Sequence, residues 1–363
     1  MKKIMKKMSI TTVTMKRIWF IGAGIVIVAA FIYVMVVRGA IDRNLEAAFE
    51  NTNCPEPEPR EYPTGYYAGP LWDTHIHIPT IFDGPFEKLG PNDMPVLGGN
   101  VTMGDIMCTF ATEGTEKAFG FFSVYRILTD AMVKVAARTV EQYPGQFVPF
   151  IMPPDRDDMP SGSPTVDAET LKRMLDVSPG LFKGYGEIGL YAREDGSAEL
   201  PPDDPEMLAI YDALTAMGIS LAYVHLGVGH EDNLARAADM YPHINYIFHG
   251  DQLVMYEEDA QQNLSAIDEL LTNHPNIFYG IDELYGDDFL LRPEVSKEAF
   301  FSYFNDYGPL LEEDIATWSA FIERHPTQVL WGTDRGWSSA WSLDIETGLL
   351  LTDYARAFIG RLD

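Results

Sequence analysis

The sequence predicts an α/β protein: a (β/α)8 TIM-type barrel preceded by a single N-terminal transmembrane helix. Three observations carry this reading: an uncharged run of 20 residues near the start, eight strand-length apolar runs alternating with helical patterns, and polar residues gathered at the late ends of those runs.

The uncharged run is IWFIGAGIVIVAAFIYVMVV, residues 18–37. As one helix it spans roughly 30 Å, enough to cross a bilayer. It is longer than the apolar core of a signal peptide, so an uncleaved anchor is expected. Residues 1–17 form a basic leader with Lys2, Lys3, Lys6, Lys7, Lys16 and Arg17, whereas only Arg38 and Arg43 follow closely. That asymmetry keeps the N-terminus cytoplasmic and places the rest of the chain in a periplasm or outside the cell.

Eight Lys or Arg against Asp42 give residues 1–43 a charge of +7, which leaves −35 of the chain's net −28 for the remainder. Such a field disfavours nucleic acid, whose phosphates a binder must neutralise, and suits neutral or cationic small molecules. Cys54 and Cys108 are the two cysteines; in an oxidising compartment they could pair, but two cysteines do not define a framework.

Residues 38–69 read as a Pro/Glu-rich linker, with five prolines in CPEPEPREYPTGYYAGP. Residues 70–363 read as the barrel. Its expected strands are 71–78, 117–125, 146–152, 181–190, 219–226, 244–250, 276–282 and 327–334. Helical patterns such as DAETLKRMLDV, DPEMLAIYDALTAMG and EEDIATWSAFIERH lie between them, several opened by an Asp suited to capping. An open doubly wound sheet is the rival, weakened because no Gly-rich phosphate loop follows the first strand.

Barrel enzymes carry their sites at the C-terminal ends of the strands. His75 and His77 end the first expected strand, Glu187 lies late in the fourth, His225 ends the fifth, His249 the sixth and Asp334 the eighth. Four imidazoles and two carboxylates without thiolates suit a catalytic ion, with zinc first and manganese, iron or nickel open, in one or two copies. His243, His274 and His325 fall between a helix and the next strand, at the opposite end, where a structural role is expected. His230 opens the helix after the fifth strand, near the functional rim. Arg335 and Trp337 follow Asp334 and are placed to touch a substrate. The insert from Glu283 to Glu313 carries Arg292, which could hold a carboxylate, and an aromatic set that packs as helix or forms a lid.

HIH on the first strand, GEIGL on the fourth, VHLG on the fifth, FHG on the sixth and WGTD on the eighth resemble the amidohydrolase superfamily. The likeness is strongest to its amidohydrolase-related branch, which holds hydrolases, lactonases and some non-oxidative decarboxylases. GEIGL alone also resembles TatD-type deoxyribonucleases. The resemblance implies that His75, His77 and Asp334 hold a first metal and that His225 and His249 hold or support a second. It leaves the strand-four bridge to Glu187, or to a carbamylated Lys183 on the face that alternation assigns to both.

Asp334 is then the base that takes a proton from the attacking water and returns it to the leaving group. Asp73, on the same expected face, either orients a ligand histidine or is satisfied by the backbone. The expected activity is hydrolysis of a small-molecule ester, lactone or amide-like bond. A decarboxylase, or a catalytically inactive anchored binding protein, is the alternative. Homo-oligomers are common among such barrels, and the oligomeric state stays open.

Overall fold

The structure, a computed structural model, describes residues 35–50, 52–54, 56, 60–81, 89–154, 163–191, 199–227, 229–249, 260–281, 284 and 295–362. The anchor expected over residues 18–37 lies outside these except for its last three residues. No helix among the described residues is long and apolar enough to cross a membrane.

Eight parallel strands follow one another around a single sheet: β1 (Leu71–Ile78), β2 (Thr115–Ser123), β3 (Phe147–Met152), β4 (Gly184–Gly189), β5 (Leu221–His225), β6 (Asn245–His249), β7 (Ile277–Ile281) and β8 (Val329–Trp331). Each pairs in parallel with the next. Both sheet faces are covered, which explains why the strands read as nearly continuous apolar runs. Phe121, Phe150, Tyr223 and Ile247 fill one small core, and a much larger cluster packs strands against helices.

The helices run in chain order: α1 (residues 35–47), α2 (Met103–Glu113), α3 (Thr129–Gln142), α4 (Ala168–Leu175), α5 (Pro205–Met217), α6 (Glu231–Met240), α7 (Ala260–Asn273), α8 (Lys297–Tyr303), α9 (Gly308–Arg324) and α10 (Ile345–Ile359). Asp167, Asp204 and Asp344 cap α4, α5 and α10 through the backbone N–H groups of Thr170, Glu206 and Thr347, satisfying donors that the first turn leaves open. Gly218 ends α5 at φ +71°, a left-handed position that favours glycine.

β8 is short, and the barrel closes through the residues after it. The Asp334 N–H donates to the His75 carbonyl at 2.9 Å, and the His77 N–H donates to the Arg335 carbonyl at 2.7 Å. The Thr74 hydroxyl reaches the Trp331 carbonyl at 2.8 Å. The ladder that joins first strand to last therefore runs through two candidate ligands on one side and a third on the other.

The stretch after the apolar run departs from the expected extended linker. Residues 35–47 are helical; Ala40 is buried, and Ala48 and Phe49, just past the helix, join the core cluster of the barrel. Asn44 donates to the Ile81 carbonyl, and Arg356 donates to the carbonyls of Tyr67 and Gly69. The prolines prompt an extended reading, but Ile41 and Leu45 on the helix, with Ala48 and Phe49 just past its end, pack on the core. Cys54 and Cys108 form a disulfide that joins this segment to α2.

This packing can be tested at two positions. Cys54→Ser, at an exposed position, lowers unfolding stability by about 2–4 kcal/mol, read as a drop in Tm that reductant reproduces in the parent and not in the variant. Asp314 in α9 is buried and accepts from the Tyr354 hydroxyl at 2.5 Å. Burial pushes its carboxyl from 3.8 up to about 8, against the Tyr354 hydrogen bond. The folded state then holds a proton that the unfolded chain releases, so this contribution is complete below about pH 4 and is lost as pH rises through about 8. Asp314→Asn should flatten the fall in Tm over that window and exceed the parent at pH 8 by about 1–3 kcal/mol.

Candidate metal centre

Six side chains from five places in the barrel converge at its C-terminal mouth. His75 and His77 come from β1, Glu187 from β4, His225 and His249 from the ends of β5 and β6, and Asp334 from just beyond β8. They form two sets that share Glu187: His75, His77, Glu187 and Asp334, then Glu187, His225 and His249, with the donor atoms of each set within 4.8 Å of one another.

In the first set His75 Nε2 lies 3.2 Å from Glu187 Oε2 and 3.3 Å from Asp334 Oδ1. His77 Nε2 lies 2.9 Å from Asp334 Oδ1 and 3.5 Å from Glu187 Oε2. In the second, Glu187 Oε1 sits 3.1 Å from His225 Nδ1 and 3.9 Å from His249 Nε2. Bonds of about 2.0–2.2 Å around a tetrahedral ion leave donors roughly 3.3–3.6 Å apart. The separations straddle that window, tighter where His77 meets Asp334 at 2.9 Å and wider between Glu187 and His249 at 3.9 Å, and nitrogen and oxygen donors without thiolate suit zinc, manganese, iron or nickel.

Local electrostatics favour the coordinating state at Glu187 and His225, and the protonated one at His77. Burial pushes the Glu187 carboxyl up, but the charge of His75 and hydrogen bonds with His225, His75 and His77 outweigh it and hold it well below the usual range. Burial lowers the His77 imidazole, whereas hydrogen bonds with Asp334 and Glu187 more than reverse this and leave it raised. Burial, then the neighbouring His249, hold His225 below its ordinary value despite Glu187. A neutral imidazole at His225 keeps a lone pair for coordination.

Backbone irregularities aim these groups. The pairing of β4 with β5 shifts between Tyr185 and Ile188, and Gly186 sits there at φ +116°. A Cβ on Gly186 would run into the Tyr223 carbonyl oxygen, so this bend requires glycine. The shift breaks the alternation that would put Lys183, Tyr185 and Glu187 on one face. Tyr185 is buried in the outer core with its hydroxyl on Thr165, while Glu187 enters the mouth. Lys183 is exposed and donates to the Gly180 carbonyl at 2.7 Å; it is not a bridging residue. Asp334 has φ +49°, an uncommon conformation that Asp tolerates better than most residues.

Arg335, expected to touch substrate, does something else. It is fully buried, donates to both Glu113 carboxylate oxygens at 2.9 Å, and reaches Asp73 at 3.3 Å. Its neighbour Asp334 faces the mouth, and Arg335 takes the opposite side. Asp73 accepts from the N–H groups of His75 and Thr333 at 3.1 and 3.0 Å, and from the Thr333 hydroxyl at 2.6 Å. Of the two roles open to Asp73, the structure shows it satisfied by backbone, hydroxyl and guanidinium, with no contact to an imidazole ring among these bonds. A Cβ on Gly348 would strike the Glu113 carboxylate, and would lie 2.7 Å from Arg335 Nη1, so glycine leaves room for this pair.

His230 is not among the converging donors. It precedes α6, with Nε2 2.7 Å from Glu199 and Nδ1 3.0 Å from Asn233. Trp337 is 37% exposed, and no contact ties it to the six. Arg292 lies outside the described residues, as do Tyr285 and Phe289. Of the aromatic insert, Phe300 and Phe304 are buried and pack on Trp341 and Tyr354, which is the helical-packing alternative. His243, His274 and His325 meet Thr215, the Leu270 carbonyl and Asp268, as structural residues do.

One participant escapes the sequence reading. The Tyr223 hydroxyl lies 3.3 Å from His75 Nδ1, positioned to fix the ring so that Nε2 faces the carboxylates. A signal for it exists: Tyr223 is two residues before His225 on the same strand face.

No family model matches the chain, and no curated protein matches it. Among solved structures it is similar to amidohydrolase 2 from Bifidobacterium longum subsp. infantis, at 15% identity and a TM-score of 0.27, covering 64% of this chain and 87% of that one. A likeness at that score carries no argument, so the chemistry rests on the six side chains.

The Asp73–Arg335–Glu113 group gives a prediction that separates structure from substrate binding. Arg335→Met leaves two buried carboxylates without their cation and costs about 3–5 kcal/mol in denaturant unfolding. A variant that keeps full stability while KM changes would return Arg335 to the substrate.

Proposed function

We propose that this chain is a membrane-anchored, metal-dependent hydrolase acting on an ester, lactone or amide-like bond of a small molecule. The observation that carries the reading is the convergence of His75, His77, Glu187, His225, His249 and Asp334 into two donor sets that share one carboxylate. The motifs around these residues also resemble those of the amidohydrolase superfamily.

A divalent ion bound there would supply a water acidic enough to ionise near neutral pH and a positive charge that polarises the bond under attack. His75, His77, Glu187 and Asp334 would hold one ion, and Glu187, His225 and His249 a second. Asp334 has one carboxylate oxygen against His77 and takes the proton of the attacking water, then gives it to the leaving group. Tyr223 keeps the His75 ring oriented through Nδ1. Phe121 and Phe150, fully buried beneath the histidines, close the barrel below the site.

Export of the barrel is supported by the basic leader before the apolar run, and by the Cys54–Cys108 disulfide, which persists in oxidising compartments. The N-terminus is then cytoplasmic, with the catalytic domain periplasmic or extracellular. Zinc fits the donor set; manganese, iron and nickel accept the same ligands.

The test uses the full chain in detergent. Elemental analysis should find one or two transition-metal equivalents, falling sharply in His75→Ala and Glu187→Gln. Asp334→Asn should retain metal in the Glu187–His225–His249 set while losing about 10²–10⁴ in kcat in a screen of esters, lactones and amides. A folded chain that carries no metal and takes up neither zinc nor manganese would sink the proposal, and carbon dioxide release from an aromatic acid without hydrolysis would redirect it to decarboxylation.

A further inference from the structure

We propose that the groove between α1 and the start of α3 is a membrane-contact face that seats on anionic lipid headgroups. This rests on the anchored reading above. The groove has a volume of about 500 Å³ and is lined by Val37, Arg38, Ile41 and Leu45 from α1, and by Arg126–Leu128 and the first turns of α3 through Lys134. Its charged groups are Arg38, Arg126 and Lys134 against Asp42 and Asp130.

Three features identify the occupant. The first is position: Val37 is both the last residue of the 20-residue apolar run and part of the groove lining. A bilayer that receives the run therefore ends about where the groove begins. The second is exposed apolar surface. Ile127, at 75%, is the most exposed large apolar side chain among the described residues, and Met35 and Val36 are 55% and 41% exposed beside Val37. Apolar side chains that rim a groove bearing Arg38, Arg126 and Lys134 are what an interfacial segment presents to the boundary of headgroup and acyl chain.

The third is charge. Residues 44–363 carry −35, so an anionic bilayer repels most of this domain. Only charges within about 8–10 Å of the surface are felt strongly. The groove lining has three cations to two carboxylates, and the adjoining Glu46, Arg138 and Glu141 bring the face to four of each, so this near-neutral face can approach where an average face of the domain cannot.

The face has a second property. Arg126–Leu128 follow the end of β2 after two residues, so Ile127 stands on the rim that carries the candidate-ligand ends of the strands. Seating it on headgroups turns the barrel mouth toward the membrane, where amphipathic small molecules concentrate.

The experiment uses the full chain in sealed vesicles of phosphatidylcholine with or without phosphatidylglycerol. Both native cysteines are paired, so Ile127→Cys offers one thiol for an environment-sensitive fluorophore, and Met240→Cys, on α6 and 50% exposed, serves as the control. With anionic lipid present, the probe at 127 should shift to the blue and be quenched by lipid-borne nitroxides about twofold or more beyond the control. Adding Arg126→Glu and Lys134→Glu should remove most of that excess. A chain that co-floats with vesicles but shows equal quenching at 127 and 240 overturns this inference and leaves the anchor intact. A chain that stays out of the vesicle fraction overturns both. Quenching at 127 that is the same without phosphatidylglycerol overturns the headgroup assignment.

Discussion

The buried carboxylate of Asp73 joins the first strand of the barrel to the last. It accepts from the backbone of His75 on one side and from the backbone and hydroxyl of Thr333 on the other, with Arg335 balancing its charge. Burying an ion pair is seldom stabilising by itself. Here every oxygen has a specific partner, and the partners flank His75, His77 and Asp334. β8 ends at Trp331, and beyond it the backbone bonds of Asp334 and Arg335 to β1, together with the Asp73 side chain, complete the seam. The geometry of the first donor set is thus a consequence of how the sheet is closed.

Glu187 makes the corresponding link across the mouth. One oxygen faces the β1 histidines and the other faces His225, so a single carboxylate couples two groups of imidazoles. Surrounding histidines hold it ionised although it is buried, and a charged oxygen in a site of low polarity binds a cation far more strongly than one in water. The irregularity at Gly186 is what brings this side chain inward. The two irregular strand segments, at Gly186 and after Trp331, gather the six donors at one mouth.

Much of this is legible in the residues. All eight strands are visible as apolar runs, and β1 has the expected bounds, because parallel strands covered on both faces leave a strong compositional trace. The six converging donors stand out as the polar residues that interrupt that trace at its late end. Period-two alternation fails at Lys183 and Glu187, since a bulge leaves no mark in the residues beyond a glycine, and turns and close backbone contacts call for glycine just as often. Arg335 misleads because adjacency to Asp334 suggests a shared direction, whereas Glu113, its partner, is 222 positions away. In the segment after the apolar run the prolines dominate the reading, and they mask the packing stripe that precedes them.

The disulfide and α1 together set how the barrel responds to tension. A pull arriving along the chain from the N-terminal side first meets α1, held by Ile41 and Leu45 and by Ala48 and Phe49 just after it. Should that interface slip, the load passes through Cys54 into α2 by a covalent bond. β1, with its two histidines, begins 17 residues beyond Cys54 and lies off that path. The strand that is least able to shift without moving the site is mechanically shielded from whatever the N-terminal segment is attached to.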